Sequence, residues 1–177
     1  MKKITCLFLI SSLLTACTHS VDTSNPAGTP MASTSRSAVA LQMLPNARLI
    51  ELQTGDETTT ADFQGKARII NFWASWCTTC RLEYPLLADR NLSQHVIGIN
   101  VQDARVSKSY QSAARDLMRR EGIAIPNYID VDESLTKALG IVGLPVTIVV
   151  NRDGEIIDRH DGALTRDLLL RFNKELD

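Results

Sequence analysis

Two cysteines stand three residues apart in "NFWASWCTTCRLEYP", residues 71–85: Cys77 and Cys80, with Trp73 and Trp76 just ahead of them. Two thiols at this spacing admit three chemistries. They can close a disulfide staple, supply half of a metal site, or exchange disulfides. Exchange needs a thiolate that attacks a disulfide sulfur in line. A cysteine at a helix N-terminus has its pKa lowered, because unpaired N–H groups and the helix dipole stabilise the anion. A second cysteine one turn on can then attack the mixed disulfide and release the product. The spacing suits Cys77 as nucleophile and Cys80 as resolving thiol.

The rest of the chain weighs these chemistries. It has 177 residues, 44% of them apolar, which is enough for one globular domain with a core. A net charge of −1 leaves no basic footprint for nucleic acid. Residues 1–16 read as a signal peptide: Lys2 and Lys3 precede an apolar run from Ile4 to Leu14. That run is too short to span a bilayer, which takes about 20 helical residues. Its end, "LTAC", resembles the bacterial lipoprotein cleavage box, which implies that Cys17 is lipidated and becomes the new N-terminus. From 17 to 43 the chain is rich in Ser, Thr, Pro, Ala and Gly, and cannot bury enough surface to offset its ordering entropy. It reads as a flexible tether; roughly 25 such residues reach about 25–30 Å.

Cysteine arithmetic follows. Cys6 leaves with the signal peptide and Cys17 carries the lipid, so Cys77 and Cys80 remain in the folded part. A loop this small gives little entropic stabilisation, which argues against a staple. A structural zinc site needs four ligands, usually two pairs; the histidines, His19, His95 and His160, stand far apart in sequence. Redox exchange is the reading that remains, with no metal and no cofactor.

The thiols need elements to hold them, and the domain at 44–177 supplies a plausible order. Residues 47–53 alternate as a strand, 54–66 are turn-rich, and 67–74 form an apolar run expected of a strand buried on both faces. Residues 81–90 read as a helix that Pro85 should kink. Residues 95–102 read as a second buried strand. Val106, Tyr110, Ala113, Ala114, Leu117 and Met118 recur at helical spacing, with Gly122 as the stop. A short helix at 134–140 and a strand at 145–150 follow. "NRDG" is a hairpin turn into a strand at 155–162, and an amphipathic helix at 164–176 has Thr165 as its candidate N-cap. Such an order gives a mixed central β-sheet with helices on both faces, an α/β three-layer sandwich.

"FWASWCTTC", "RLEYP" and "GLPVTIVVNRDG", in this order, resemble the thioredoxin fold, and more narrowly the TlpA/ResA/DsbE-like thiol–disulfide oxidoreductases. The resemblance covers roughly 44–176. It implies that Pro145 is the cis proline facing the CxxC, and that the backbone of Leu144 pairs with an extended substrate. It implies that Trp76 covers the thiols and helps dock substrate, while Trp73 is core. It makes Glu83, one helical turn beyond Cys80, an acid–base residue. Thioredoxins at large carry a buried acid two residues before the first tryptophan of this motif; here Asn71, which takes no proton, stands there. Many relatives have proline before the second cysteine, where this chain has Thr79.

The expected function is a membrane-tethered, extracytoplasmic thiol–disulfide oxidoreductase of the bacterial cell envelope, in the periplasm or its equivalent. It would reduce disulfides of exported proteins, such as apocytochrome c, and be re-reduced by a membrane electron donor. The alternatives are an oxidant or isomerase of the same fold, and a redox-inactive or metal-binding module. Asp after a lipidated cysteine signals inner-membrane retention in Gram-negative bacteria; Thr18 stands there instead, in tension with a cytochrome role.

Overall fold

The computed structural model describes residues 42–101 and 108–176. The expected signal peptide, Cys17, the expected tether up to residue 41, Gln102 of the second expected strand and Val106 lie outside the described residues, as does the side chain of Tyr110.

Eight strands form one sheet: β1 (Gln42–Met43), β2 (Arg48–Glu51), β3 (Glu57–Thr59), β4 (Arg68–Trp73), β5 (Val96–Asn100), β6 (Asn127–Asp130), β7 (Val146–Val150) and β8 (Glu155–Asp161), in the order β1-β8-β7-β4-β5-β6-β2-β3. β4, β5 and β6 run parallel; β7 is antiparallel to β4, and β2 to β6. Four helices complete the domain: α1 (Tyr84–Ala88), α2 (Lys108–Glu121), α3 (Ser134–Ala138) and α4 (Arg166–Leu176). The fold is the expected α/β thioredoxin-like sandwich.

The central strands carry apolar residues on both faces because both faces are covered. Ile69 and Trp73 of β4 join Val96, Val149, Leu87, Met118, Leu169 and Phe172 in a core under α1, α2 and α4. Ile70 and Phe72 join Ile97, Ile99, Ile148, Leu135 and Leu139 in a second core under α3. Side chains alternate along a strand, so Asn71 lies on the face of Ile69 and Trp73. The register pairs Asn71 with Thr147, whose neighbour Val149 is on that same face.

Four expectations change. Gln42 and Met43, assigned to the tether, pair with Ile156 and Glu155 as an edge strand. The turn-rich stretch holds the short β3 and a 3-10 turn, Thr60–Phe63. β6 was not foreseen. The helix at 81–90 is instead a 3-10 turn, Thr79–Glu83, followed by the five-residue α1 with Pro85 in its first turn. Inside an α-helix a proline ring clashes with the carbonyl four residues back; in the first turn it meets no such conflict. Pro85 therefore sets where α-helix begins rather than kinking one.

Several expectations on the described residues stand, although Ala113 of the expected apolar helix face is exposed. Gly122 ends α2 with φ +68°, Ala114, Leu117 and Met118 face the core, and the 151–154 turn joins β7 to β8. Thr165 accepts a hydrogen bond from Leu168 N–H (3.3 Å) at the start of α4.

Candidate active site

β4 ends at Trp73, and the segment after it carries the cysteines. Cys77 and Cys80 are joined by a disulfide, S–S 2.07 Å with Cα atoms 5.4 Å apart. Both are buried, Cys80 completely and Cys77 to 4% exposure. The Cys77 N–H donates to Ala74 O (3.1 Å), and the Cys80 N–H donates to Cys77 Sγ (3.1 Å). That second bond is the local form of the helix N-terminal effect. The helical segment here is too short for a large macrodipole, so a single N–H aimed at the sulfur supplies the stabilisation that a Cys77 thiolate would use.

Antiparallel pairing of Phe72 with Val146 brings the end of β4 and the start of β7 to one end of the sheet. The loop before β7 carries Leu144 and Pro145, joined by a cis peptide bond as expected. Pro145 is buried; Leu144 is half-buried and packs against the core that includes both cysteines. Pro145 O accepts from Gly162 N–H (3.0 Å), tying this loop to the one between β8 and α4. Trp76 stands out at 64% exposure, next to the nucleophile position. Trp73 is core, its Nε1–H donating to Asn127 Oδ1 (2.7 Å). Two exposed apolar side chains escaped the sequence reading, Leu82 after the CxxC and Val142 in the proline loop.

Glu83 is fully buried beneath the thiol segment, not a solvated helix carboxylate. Its Oε1 accepts from Leu164 N–H (2.6 Å) and its Oε2 from Asn71 Nδ2 (3.2 Å). Asn71 Nδ2 also donates to Thr147 Oγ1 (3.1 Å). One carboxyl thus ties the cysteine segment to β4 directly, to β7 through Asn71, and to the chain entering α4. Burial disfavours the charged form and pushes the Glu83 pKa up to about 7; the two hydrogen bonds oppose this but do not overcome it. An acid that titrates near neutrality, one turn from the second cysteine, can take and return a proton at working pH. Asn71 and Thr147 as partners of this acid were not foreseen.

An apolar cavity of about 160 Å³ lies on the other face of the sheet, lined by Met43, Leu44, Phe63, Ile70 and Val150, away from Glu83 and the cysteines.

A family model described as Redoxin matches residues 38–171. The chain is 31% identical over 137 residues to the thiol:disulfide interchange protein HelX of Rhodobacter capsulatus, covering 76% of this chain and 74% of that one. It is 24% identical over 126 residues to the thiol-disulfide oxidoreductase ResA of Bacillus subtilis, covering 68% and 67%. Among solved structures, a DsbF homologue from Corynebacterium diphtheriae superposes with TM-score 0.64 at 24% identity, over 84% of this chain and 97% of that one.

Proposed function

We propose that this chain, which belongs to the Redoxin family and is a thiol–disulfide oxidoreductase of the TlpA/ResA/DsbE-like kind, works as a reductant of disulfides in exported proteins while tethered to a bacterial membrane through Cys17. The observation that carries the reading is the conjunction of the Cys77–Cys80 pair with the wholly buried Glu83 one turn away.

The reaction runs in two steps. In the reduced protein the Cys77 thiolate attacks one sulfur of a substrate disulfide. A mixed disulfide forms, and the second substrate sulfur leaves as a thiolate and takes up a proton. Glu83 removes the proton of Cys80. The Cys80 thiolate attacks Cys77 Sγ, the mixed disulfide breaks, and the first substrate sulfur leaves as a thiolate that takes up the proton Glu83 received. Two electrons pass to the substrate, and the protein ends with the Cys77–Cys80 disulfide. An electron donor at the membrane restores the dithiol.

Trp76, Leu144 and Pro145 form the docking surface in this reading. They lie on the two segments that leave the same end of the sheet, and Trp76 is exposed beside Cys77. An extended substrate segment passing Leu144 would bond through its main chain. The direction of electron flow draws support from what stabilises the thiolate. Oxidants such as DsbA owe their potential to a strongly stabilised reduced form. Here, among the described residues, the donor to Cys77 Sγ is one backbone N–H, and Glu83 ends the 3-10 turn that carries Cys80.

Reduction of a protein disulfide such as those of insulin tests the assignment. Cys77→Ser should abolish turnover, and Cys80→Ser should accumulate mixed disulfides that are seen on non-reducing gels. Full turnover by Cys77→Ser would overturn the mechanism.

A further inference from the structure

Asn71 is completely buried, and its side chain is half satisfied. Nδ2 bridges Glu83 Oε2 (3.2 Å) and Thr147 Oγ1 (3.1 Å), while Oδ1 is buried with no hydrogen-bond partner among the described residues. A buried carbonyl oxygen without a partner costs free energy, and calls for a reason.

The geometry suits an ionised Glu83 and fails a protonated one. Both carboxylate oxygens face donors, Leu164 N–H on one and Asn71 Nδ2 on the other. A carboxyl proton on either oxygen would then point at an N–H. Rotating the Asn71 amide by half a turn removes the conflict. Oδ1 would then face Oε2 and accept the carboxyl proton, and the Thr147 hydroxyl, which can donate as well as accept, would turn to donate to it. Oδ1 then becomes the acceptor beside the acid, and Nδ2 moves into the place that Oδ1 holds beside the anion, so the unpartnered end of the amide differs between the two states.

We propose that Asn71 is a positioning residue for Glu83: its amide, anchored on Thr147, clamps the carboxylate through Nδ2 and reverses to clamp the carboxylic acid through Oδ1 when Glu83 takes up a proton. The step moves one proton onto Glu83 and turns one amide; no electrons move. β4 brings Asn71, β7 brings Thr147, and the chain entering α4 brings the Leu164 amide. Tyr84, the first residue of α1, feels the Glu83 charge, as it does those of Arg81 and Glu121. The Cys77 and Cys80 thiols titrate as well once reduced, so the oxidised protein is the cleaner one to examine. This rests on Glu83 as the acid–base group, but its readout does not.

The experiment is a pH titration of the oxidised full-length protein by NMR, following the Glu83 carboxyl carbon and the Asn71 side-chain amide. In the native protein the amide signals should move with the same midpoint as the carboxyl carbon. In Asn71→Leu both forms of Glu83 lose the amide, but the bond to the charged carboxylate is the stronger of the two, so the Glu83 midpoint should rise, by less than about one pH unit. Thr147→Val, a milder change, should raise it less. Amide signals that ignore the Glu83 titration, or a midpoint unmoved in a folded Asn71 variant, would overturn the proposal. Should the midpoint move while the pH profile of disulfide reduction stays fixed, Asn71 still positions Glu83, and it is the acid–base role of Glu83 that fails.

Discussion

Glu83 carries the account at the scale of single residues, and its titration has a sign. Burial raises its pKa from 4.5 to about 7. Below about 4.5 the carboxyl is protonated both folded and unfolded, and the neutral acid sits in the core without a charge to desolvate. Between 4.5 and about 7 the unfolded chain gives up the proton that the fold retains, so stability falls as pH rises, by on the order of 3 kcal/mol. Above about 7 the slope from this group ends. Asp62, Asp132 and Asp161 have lowered pKa values, so their opposite contributions fall at more acid pH. Glu83→Gln should therefore flatten the urea-unfolding free energy between about pH 4.5 and 7, while slowing disulfide exchange without unfolding the domain. An unchanged pH dependence of stability and rate would remove Glu83 from the mechanism. The cysteines were legible in the sequence, since their spacing is itself the chemistry. Glu83 was legible as a candidate through its distance from Cys80 and the family resemblance. Its partners were not, because Asn71, Thr147 and Leu164 meet it through strand register and a loop far along the chain.

At the scale of elements, the apolar runs gave away β4, β5 and β7, which are buried on both faces. β6 escaped because its polar residues are buried too. Asn127 takes the Trp73 N–H and donates to Ile125 O (3.0 Å). Asp130 accepts from Thr136 N–H (2.8 Å) and Thr136 Oγ1–H (2.6 Å), securing α3. A strand whose polar side chains are satisfied by distant partners shows no alternation. The Trp73–Asn127 bond also dictates Gly98. A Cβ there would run into Asn127 Oδ1 and come within 2.9 Å of Trp73 Nε1. Gly98→Ala should cost about 1–3 kcal/mol by forcing this pair apart, and it should alter the tryptophan emission of the folded protein. Loss of neither stability nor emission would mean that β5 can shift to admit the methyl group. Pro85 shows the converse. Its presence was plain, but whether it kinks a helix or starts one depends on where the 3-10 turn before it ends.

For the whole molecule, the described domain is an oxidoreductase whose disulfide lies at one end of the sheet, and the proposed lipid anchor lies outside the described residues. No helix among the described residues is long and apolar enough to cross a membrane. The membrane attachment proposed here is through Cys17 and the tether. Cys17→Ser should release the protein from the membrane fraction while leaving disulfide reduction by the domain intact. A variant that stays membrane-bound would place the anchor elsewhere.

The measurement that tests the central claim most directly is the reduction potential of the Cys77–Cys80 pair, set by equilibration with a thiol redox buffer. A thiolate held, among the described residues, by one N–H has a weakly stabilised reduced form. The account predicts a potential near or below about −250 mV, in the range of thioredoxin. A potential near about −120 mV, in the range of DsbA, would make the protein an oxidant and contradict the account.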